Sequence, residues 1–197
     1  MVAHVLVTDR LQLRLFEAAD APFFLALLND PDWLRFIGDR GVRTLEDACG
    51  YALRGRAMCR RLGFGLWLVE RRDDGSSIGI CGLIKRDSLV DVDIGFAFLP
   101  SYRGNGYAKE AATATLTYGR EVVGLRRIVA ITSPDNEASI ALLTKIGMSF
   151  EERVRLSGEV RESLVFGWND PRRGGRENDE DAVQRRRTSS RHLPVGK

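Results

Sequence analysis

Arg103-Gly104-Asn105-Gly106 is a turn that no large side chain could enter cheaply, and it joins two segments of different kind. Before it, Asp93 to Leu99 is mostly apolar, aromatic and branched, and Pro100 closes it. That run is too short for a buried helix and reads as a buried strand. After it, Ala108 to Gly119 carries alanines and Leu116 at helical spacing. A glycine turn feeding a helix leaves backbone N–H groups unpaired at the positive end of the helix dipole, a ready seat for a phosphate or pyrophosphate. The amides of Gly104, Asn105, Gly106, Tyr107 and Ala108 are the expected donors, with Arg103 and Lys109 adding positive charge beside them. The turn is not a Walker loop, because no Gly-Lys-Ser/Thr follows at the required spacing. Nor is it a good dinucleotide fingerprint, since Lys109 holds the third glycine position. An ordinary tight strand-to-helix turn accounts for the same residues.

Other chemistries find little material. The two histidines, His4 and His192, stand near the two ends, so a Ser-His or Cys-His nucleophile pair or a His-rich metal site would need a terminus to fold back. No metal site is expected. Cys49, Cys59 and Cys81 are odd in number and lack Cys-x-x-Cys spacing, which suits reduced core or helix residues. No apolar run approaches the roughly 18 residues of a membrane span. The start, MVAHVLVTDR, lacks the basic, apolar and small-residue regions of an export signal, so the expected location is cytoplasmic.

The elements that must position the turn can be read in order. Thr8 to Leu15 alternates leucines with polar residues, as a half-buried strand does. Phe23 to Leu28 is a short helix with Pro22 in its first turn and Pro31 stopping it, and Asp32 to Ile37 adds a turn or two. Thr44 with Asp47 resembles a capping box for a helix running to about Arg61, with Ala48, Tyr51, Ala52 and Met58 inward and Gly63 ending it. Leu66 to Glu70 and Ile78 to Lys85 are strands joined by a polar loop with an Asp73-Asp74-Gly75 turn signal. Arg127 to Thr132 is a strand, and Ser133-Pro134-Asp135-Asn136 caps a helix from Glu137 to Ile146 with Gly147 as its C-cap. Phe150 to Leu156 and Val160 to Gly167 are strands hinged at Ser157-Gly158-Glu159. Strands alternate with helices in the middle and turn antiparallel at the ends, so an α/β fold with a mixed sheet is expected.

Residues 1–169 therefore read as one domain, and 170–197 as a charged tail too poor in apolar residues to repay the entropy of ordering itself. The formal charge of +3 resides in that tail, which holds eight basic and five acidic residues, whereas the body holds 22 of each. A balanced body argues against a folded surface built for nucleic acid. Arg185-Arg186-Arg187 could touch RNA or a ribosome, though a solvated charge run explains it equally.

Three blocks of the sequence together resemble a known family. Arg103-x-x-Gly106-x-Ala108, after Ile-Gly-Phe and before Glu110-Ala111, is similar to the acetyl-CoA motif of the GCN5-related N-acetyltransferases. The resemblance is strongest to the branch that acetylates protein N-termini, ribosomal proteins included. The opening TDRLQLRL…ADAPFFLALLNDPDWLRFIG looks like the start of the same branch. Asn136-Glu137-Ala138-Ser139…Lys145-Ile146-Gly147-Met148 resembles the helix that lies along the thioester arm of the cofactor.

That resemblance implies a single domain with a mixed sheet of about seven strands, helices on both faces, and two parallel strands splayed around the cofactor. It implies one-step transfer of acetyl from acetyl-CoA to an amine with both substrates bound. The pantetheine arm would lie in the gap and pair with backbone at Phe96, Ala97 and Phe98, and Asn136 would contact it. Asp93 stands where the family often places a base-supplying carboxylate, usually Glu, and its shorter arm implies action through water; a structural acceptor at a strand edge explains it too. Many relatives carry a proton-donating tyrosine where this chain has Leu143, so Ser139 is the available hydroxyl, unless it merely caps its helix. A protein N-terminal amine is the leading acceptor. The alternatives are a small-molecule amine (antibiotic, polyamine or amino acid) and a non-catalytic module that binds CoA or docks on a ribosome. A monomer or a homodimer is expected.

Overall fold

The computed structural model describes residues 4–155 and 162–169. Eight strands form one sheet in the order β1-β2-β3-β4-β5-β6-β8-β7. They are β1 (His4–Val7), β2 (Leu11–Arg14), β3 (Leu66–Arg71), β4 (Ser77–Ile84), β5 (Val92–Phe98), β6 (Arg127–Thr132), β7 (Ser149–Val154) and β8 (Ser163–Asn169). Every neighbouring pair is antiparallel except β5 and β6, which run parallel. The sheet is thus mixed as expected, with one strand more than the expected seven. The extra strand comes from the N-terminal segment. Thr8 turns the chain by donating its amide to Leu11 O (2.8 Å), so the alternating run becomes the second arm of a hairpin.

Helices cover both faces. On one, α1 (Ala21–Leu28), α2 (Pro31–Phe36) and α3 (Leu45–Leu62) pack through Phe24, Leu27, Trp33, Ala48 and Ala52 onto Leu68 and Ile80. On the other, α4 (Tyr107–Glu121) and α5 (Glu137–Lys145) pack through Ala111, Ala112, Leu116 and Leu143 onto Trp67, Cys81, Ile94 and Ile128. The capping box of α3 is present in both directions, Thr44 with the Asp47 amide and Asp47 with the Thr44 amide, and Gly63 at φ 78° ends the helix. Its inward face is corrected at one position. Met58 is 45% exposed and Cys59 is buried, because Ala48, Ala52 and Cys59 fall on one helical stripe and Met58 lies a step off it.

A buried cluster ties the opening of the chain to the sheet. Arg14 pairs with Asp20 (2.7 Å) and Glu70 (2.7 Å), all three side chains nearly inaccessible. Removing the arginine would strand two buried carboxylates, a loss of about 3–5 kcal/mol. The Ser157-Gly158-Glu159 hinge and the tail from 170 onward lie outside the described residues, as does the last part of the strand expected to reach Leu156.

Candidate active site

The break in the sheet is the centre of the site. β5 and β6 pair only at Val92 with Ile128 and Asp93 with Val129, and from there they part. β5 stays bonded to β4 along its whole length, Asp93 against Ile84 through Phe98 against Gly79. On that side Leu99 donates to Ile78 O (3.0 Å), while Phe98 O accepts from Arg103 Nε (2.8 Å) on the other. Peptide groups alternate in direction along a strand, so those of Phe96 and Phe98 face the gap and those of Ala97 face β4. Of the three expected backbone contacts, Phe96 is left open and Phe98 keeps its N–H free, while Arg103 caps the Phe98 carbonyl and Ala97 is turned to β4. At the far end of β6 the hydroxyl of Thr132 is buried with no hydrogen-bond partner among the described residues. A buried hydroxyl left unmade costs about 1–3 kcal/mol, so this one fits a polar group lying in the gap.

The open end of the gap meets the glycine turn. Gly104 and Gly106 have φ of 78° and 80°, a left-handed backbone that glycine adopts freely. Gly106 is the N-cap of α4, and Glu110 is the first residue whose amide returns to it (3.1 Å). The amides from Gly104 to Lys109 donate to no acceptor among the described residues. The turn thus presents six consecutive free backbone N–H groups, a cradle built from backbone.

Its charge differs from the expectation. Arg103 points back, donating to Asp30 (2.6 Å), to Asp32 and to Phe98 O, and so fastens the turn to the N-terminus of α2. Lys109 is exposed. The cation held at the cradle is Arg10, which sequence reading passed over. Its Nε bonds Glu110 (2.6 Å), its Nη1 bonds Asn105 O (3.1 Å), and its guanidinium stacks 4.6 Å over the Tyr107 ring. Burial alone would raise the Glu110 pKa, but hydrogen bonds from Thr8 and from the Arg10 amide and guanidinium outweigh it, and the carboxyl sits below its ordinary value. The signal available in sequence was Glu110 in the first helical turn, an acid beside the glycine turn that needs a cation to offset it.

At the closed end, Asp93 is 1% exposed, and both its oxygens lie 3.1 Å from Arg86 Nε. Burial raises its pKa, and the Arg86 charge and hydrogen bond only partly oppose this. Asp93 shares its face of the sheet with Ala97, the face covered by α1 to α3. Ser139 lies on the other side of the gap, in the first turn of α5. Its amide donates to Asn136 Oδ1 (3.1 Å), so Asn136 caps the helix with its oxygen and keeps its amide nitrogen free, while the Ser139 hydroxyl has no partner among the described residues. Leu143 is 1% exposed and part of the core. Cys81 is buried against Thr115 (3.3 Å), and burial pushes its thiol up to about 12, so it is no nucleophile.

One short helix spans the gap. The start of α2 is tied to the β5 side by Arg103, and Arg35 near its end pairs with Asp135 (2.8 Å) in the loop after β6. Among the described residues no group of His, Cys, Asp and Glu could hold a metal ion, and no helix is long and apolar enough to cross a membrane.

Comparison with known proteins adds to this geometry. The acetyltransferase (GNAT) domain family matches residues 10–149. The uncharacterized protein YkkB of Bacillus subtilis is 34% identical over 154 residues, 76% of this chain and 88% of its own. An acetyltransferase from Agrobacterium tumefaciens, known from its crystal structure, superposes with a TM-score of 0.73 at 26% identity, over 86% of this chain and 96% of that one. The ribosomal L7/L12 α-N-protein acetyltransferase RimL shares the fold (TM-score 0.73, 18% identity, 86% and 96% coverage) and has also been solved in complex with coenzyme A.

Proposed function

The chain belongs to the GNAT acetyltransferase family, and on that premise we propose that it transfers acetyl from acetyl-CoA to a protein N-terminal amine by direct attack in a ternary complex. The observation that carries this reading is the row of unpaired turn amides at the open end of the β5–β6 gap, with the gap-facing backbone of Phe96 along it and buried Asp93 at its closed end. From Phe98 to Asp93 is five residues, about 17 Å of strand, a channel for an extended thioester arm whose phosphates sit at the turn.

In this reading the amides of Gly104, Asn105, Gly106, Tyr107 and Ala108 hold the pyrophosphate, and Arg10 supplies the charge expected of Arg103. Thr132 and the Asn136 amide nitrogen are free for polar groups of the arm. The Phe96 N–H faces the gap and is the candidate oxyanion donor, worth about 3 kcal/mol if well aimed. Asp93 and Ser139 flank the gap on opposite faces, so the amine can lose its proton on one side while the thiolate gains one on the other. Asp93 is too enclosed for direct contact and acts through water. An α-amine of pKa near 7.7–8 is about a tenth neutral at pH 7, whereas a lysine near 10.4 is almost wholly charged. A base at that remove suits the α-amine.

RimL, an α-N-protein acetyltransferase, shares the fold, and that likeness motivates the choice of acceptor. The test is mass spectrometry of protein N-termini and metabolites in cells with and without the protein, joined to thiol release by the purified chain with peptide and small amines. Acetylated N-termini that vanish with the protein are the expected result. Turnover confined to small amines would sink the choice of acceptor.

A further inference from the structure

Arg86 has more to offer than its bond to Asp93. Only its Nε is engaged, at 3.1 Å from each carboxylate oxygen, and its two terminal amino groups have no acceptor among the described residues. The side chain is 32% exposed while Asp93 is closed off, so part of the guanidinium reaches solvent. Two residues before Arg86 in the chain, Ile84 helps to wall a pocket of about 260 Å³ together with Phe16, Met58, Leu62 and Leu66, with Tyr51, Arg54 and Lys85 at its polar margin and Arg86 itself outside the lining. Ile84 is the cross-strand partner of Asp93, and its Cδ1 fills the space over Gly95 (2.7 Å from where a Cβ would stand). Pocket and reaction centre therefore share a wall. The Tyr51 hydroxyl makes no hydrogen bond among the described residues; burial raises its pKa, and the charges of Arg40, Arg54 and Arg86 only partly oppose this. The nearby carboxylates are already spent, Asp93 on Arg86, Asp39 on Arg43 and Asp91 on Arg127.

We propose that Arg86, with Arg54 and Tyr51, recognises a carboxylate on the acceptor, and that the acceptor is an amine whose apolar body enters the adjoining pocket. The inference rests on the acetyl-transfer reading and names the substrate class for it. A planar guanidinium with two free amino groups matches a carboxylate in a bidentate fork. The same charge repels a polyamine, which would bring cations to three arginines. The carboxylate can come from an acidic side chain near a peptide N-terminus or from a free amino acid, and the chemistry at Arg86 is the same.

The experiment uses the full chain and acetyl-CoA, with acceptor pairs that differ by that charge and with rates expressed per neutral amine, because an α-carboxylate raises the pKa of the amine beside it: Ala-Phe-Asp-amide against Ala-Phe-Asn-amide, and phenylalanine against phenylalaninamide, with spermidine alongside. The acidic member of at least one pair should exceed its neutral twin roughly tenfold in kcat/KM, and the pair that responds identifies the source. Arg86→Gln should bring that ratio to about one, whereas Arg60→Gln, an exposed arginine on α3 outside the pocket, should leave it intact. A ratio of one in the wild type, a ratio that survives Arg86→Gln, or spermidine as the best acceptor would overturn the proposal while acetyl transfer stands. A readout free of turnover separates the two claims. Calorimetry with 3-phenylpropionate, which has the apolar body and carboxylate but no amine, should show saturable binding that Arg54→Gln and Arg86→Gln weaken about tenfold. No binding, or equal binding of phenethylamine, defeats the pocket; bound 3-phenylpropionate with no thiol release from any amine defeats the acetyl-transfer reading instead.

Discussion

The two ends of β5 are built from different materials. At the Phe98 end the working groups are backbone amides, exposed on a glycine turn and indifferent to which side chains surround them. At the Asp93 end they are side chains, a buried carboxylate held by an arginine with a tyrosine and a second arginine nearby. Backbone suits a ligand part that never varies, such as a pyrophosphate. Side chains suit the partner that must be told apart from others. The first end should therefore fail through sterics and the second through charge, and substitutions can separate them.

The largest effect is expected at the turn. Gly106→Val should abolish measurable CoA binding in calorimetry, since a branched side chain would stand in the cradle. It should also lower the melting temperature modestly, because an L-residue at φ 80° costs about 1–2 kcal/mol. Unchanged CoA affinity in a folded variant would show that the cradle is elsewhere.

At the other end, Asp93→Asn should leave CoA binding intact and lower kcat roughly 10²-fold. The defect should shrink as pH rises above the acceptor's pKa, where the amine is already neutral. Stability should move the opposite way. Burial raises the folded pKa of Asp93 above the ordinary carboxyl value of 3.8, so the wild-type fold loses stability as pH climbs from that value through the raised one. Asn carries no such burden. The variant should gain in melting temperature relative to wild type at neutral pH, and the gain should close as pH falls below 4. A few-fold, pH-independent loss of rate would make Asp93 a structural residue.

Ser139→Ala should cost less, a few-fold in kcat that persists at high pH, since its hydroxyl serves the leaving thiol rather than the amine. Helix α5 should not notice, because the cap runs from Asn136 to the Ser139 amide and needs no hydroxyl. A rate profile of wild-type height and shape would leave Ser139 with no part in the chemistry. Smallest of all is truncation after Asn169, for which unchanged melting temperature and turnover on a peptide are expected. A collapsed melting temperature would move the domain boundary into the tail.

Reading the sequence reached the backbone-built end more fully than the other. Gly104, Gly106 and the helix after them are local, and local geometry follows from neighbouring residues. The capping box at Thr44 and the cap at Asn136 were legible for the same reason. What escaped were partnerships across long chain separation. Arg103 looked like a free cation because Asp30 and Asp32 lie some seventy positions away, and Arg10 looked like an ordinary strand residue until Glu110 came beside it. The eighth strand escaped because a turn at Thr8 depends on what holds it, not on the alternation on either side. Met58 and Cys59 differ by one step of helix phase, finer than a short apolar pattern can resolve.

Helix α2 acts on the gap as a strut with unequal joints. Its Arg103 joint ends on Asp30, nearly buried, and is sheltered from solvent; its Arg35 joint is more than half exposed at both partners. Exposed pairs contribute about 0–1 kcal/mol and fade with ionic strength, while sheltered ones fade much less. Salt should thus release one joint and leave the other, letting the mouth breathe by pivoting on Arg103. The rate at which CoA leaves becomes a gauge of that pivot. It should rise with added salt in the wild type by more than it does in Arg35→Gln, where the soft joint is already gone.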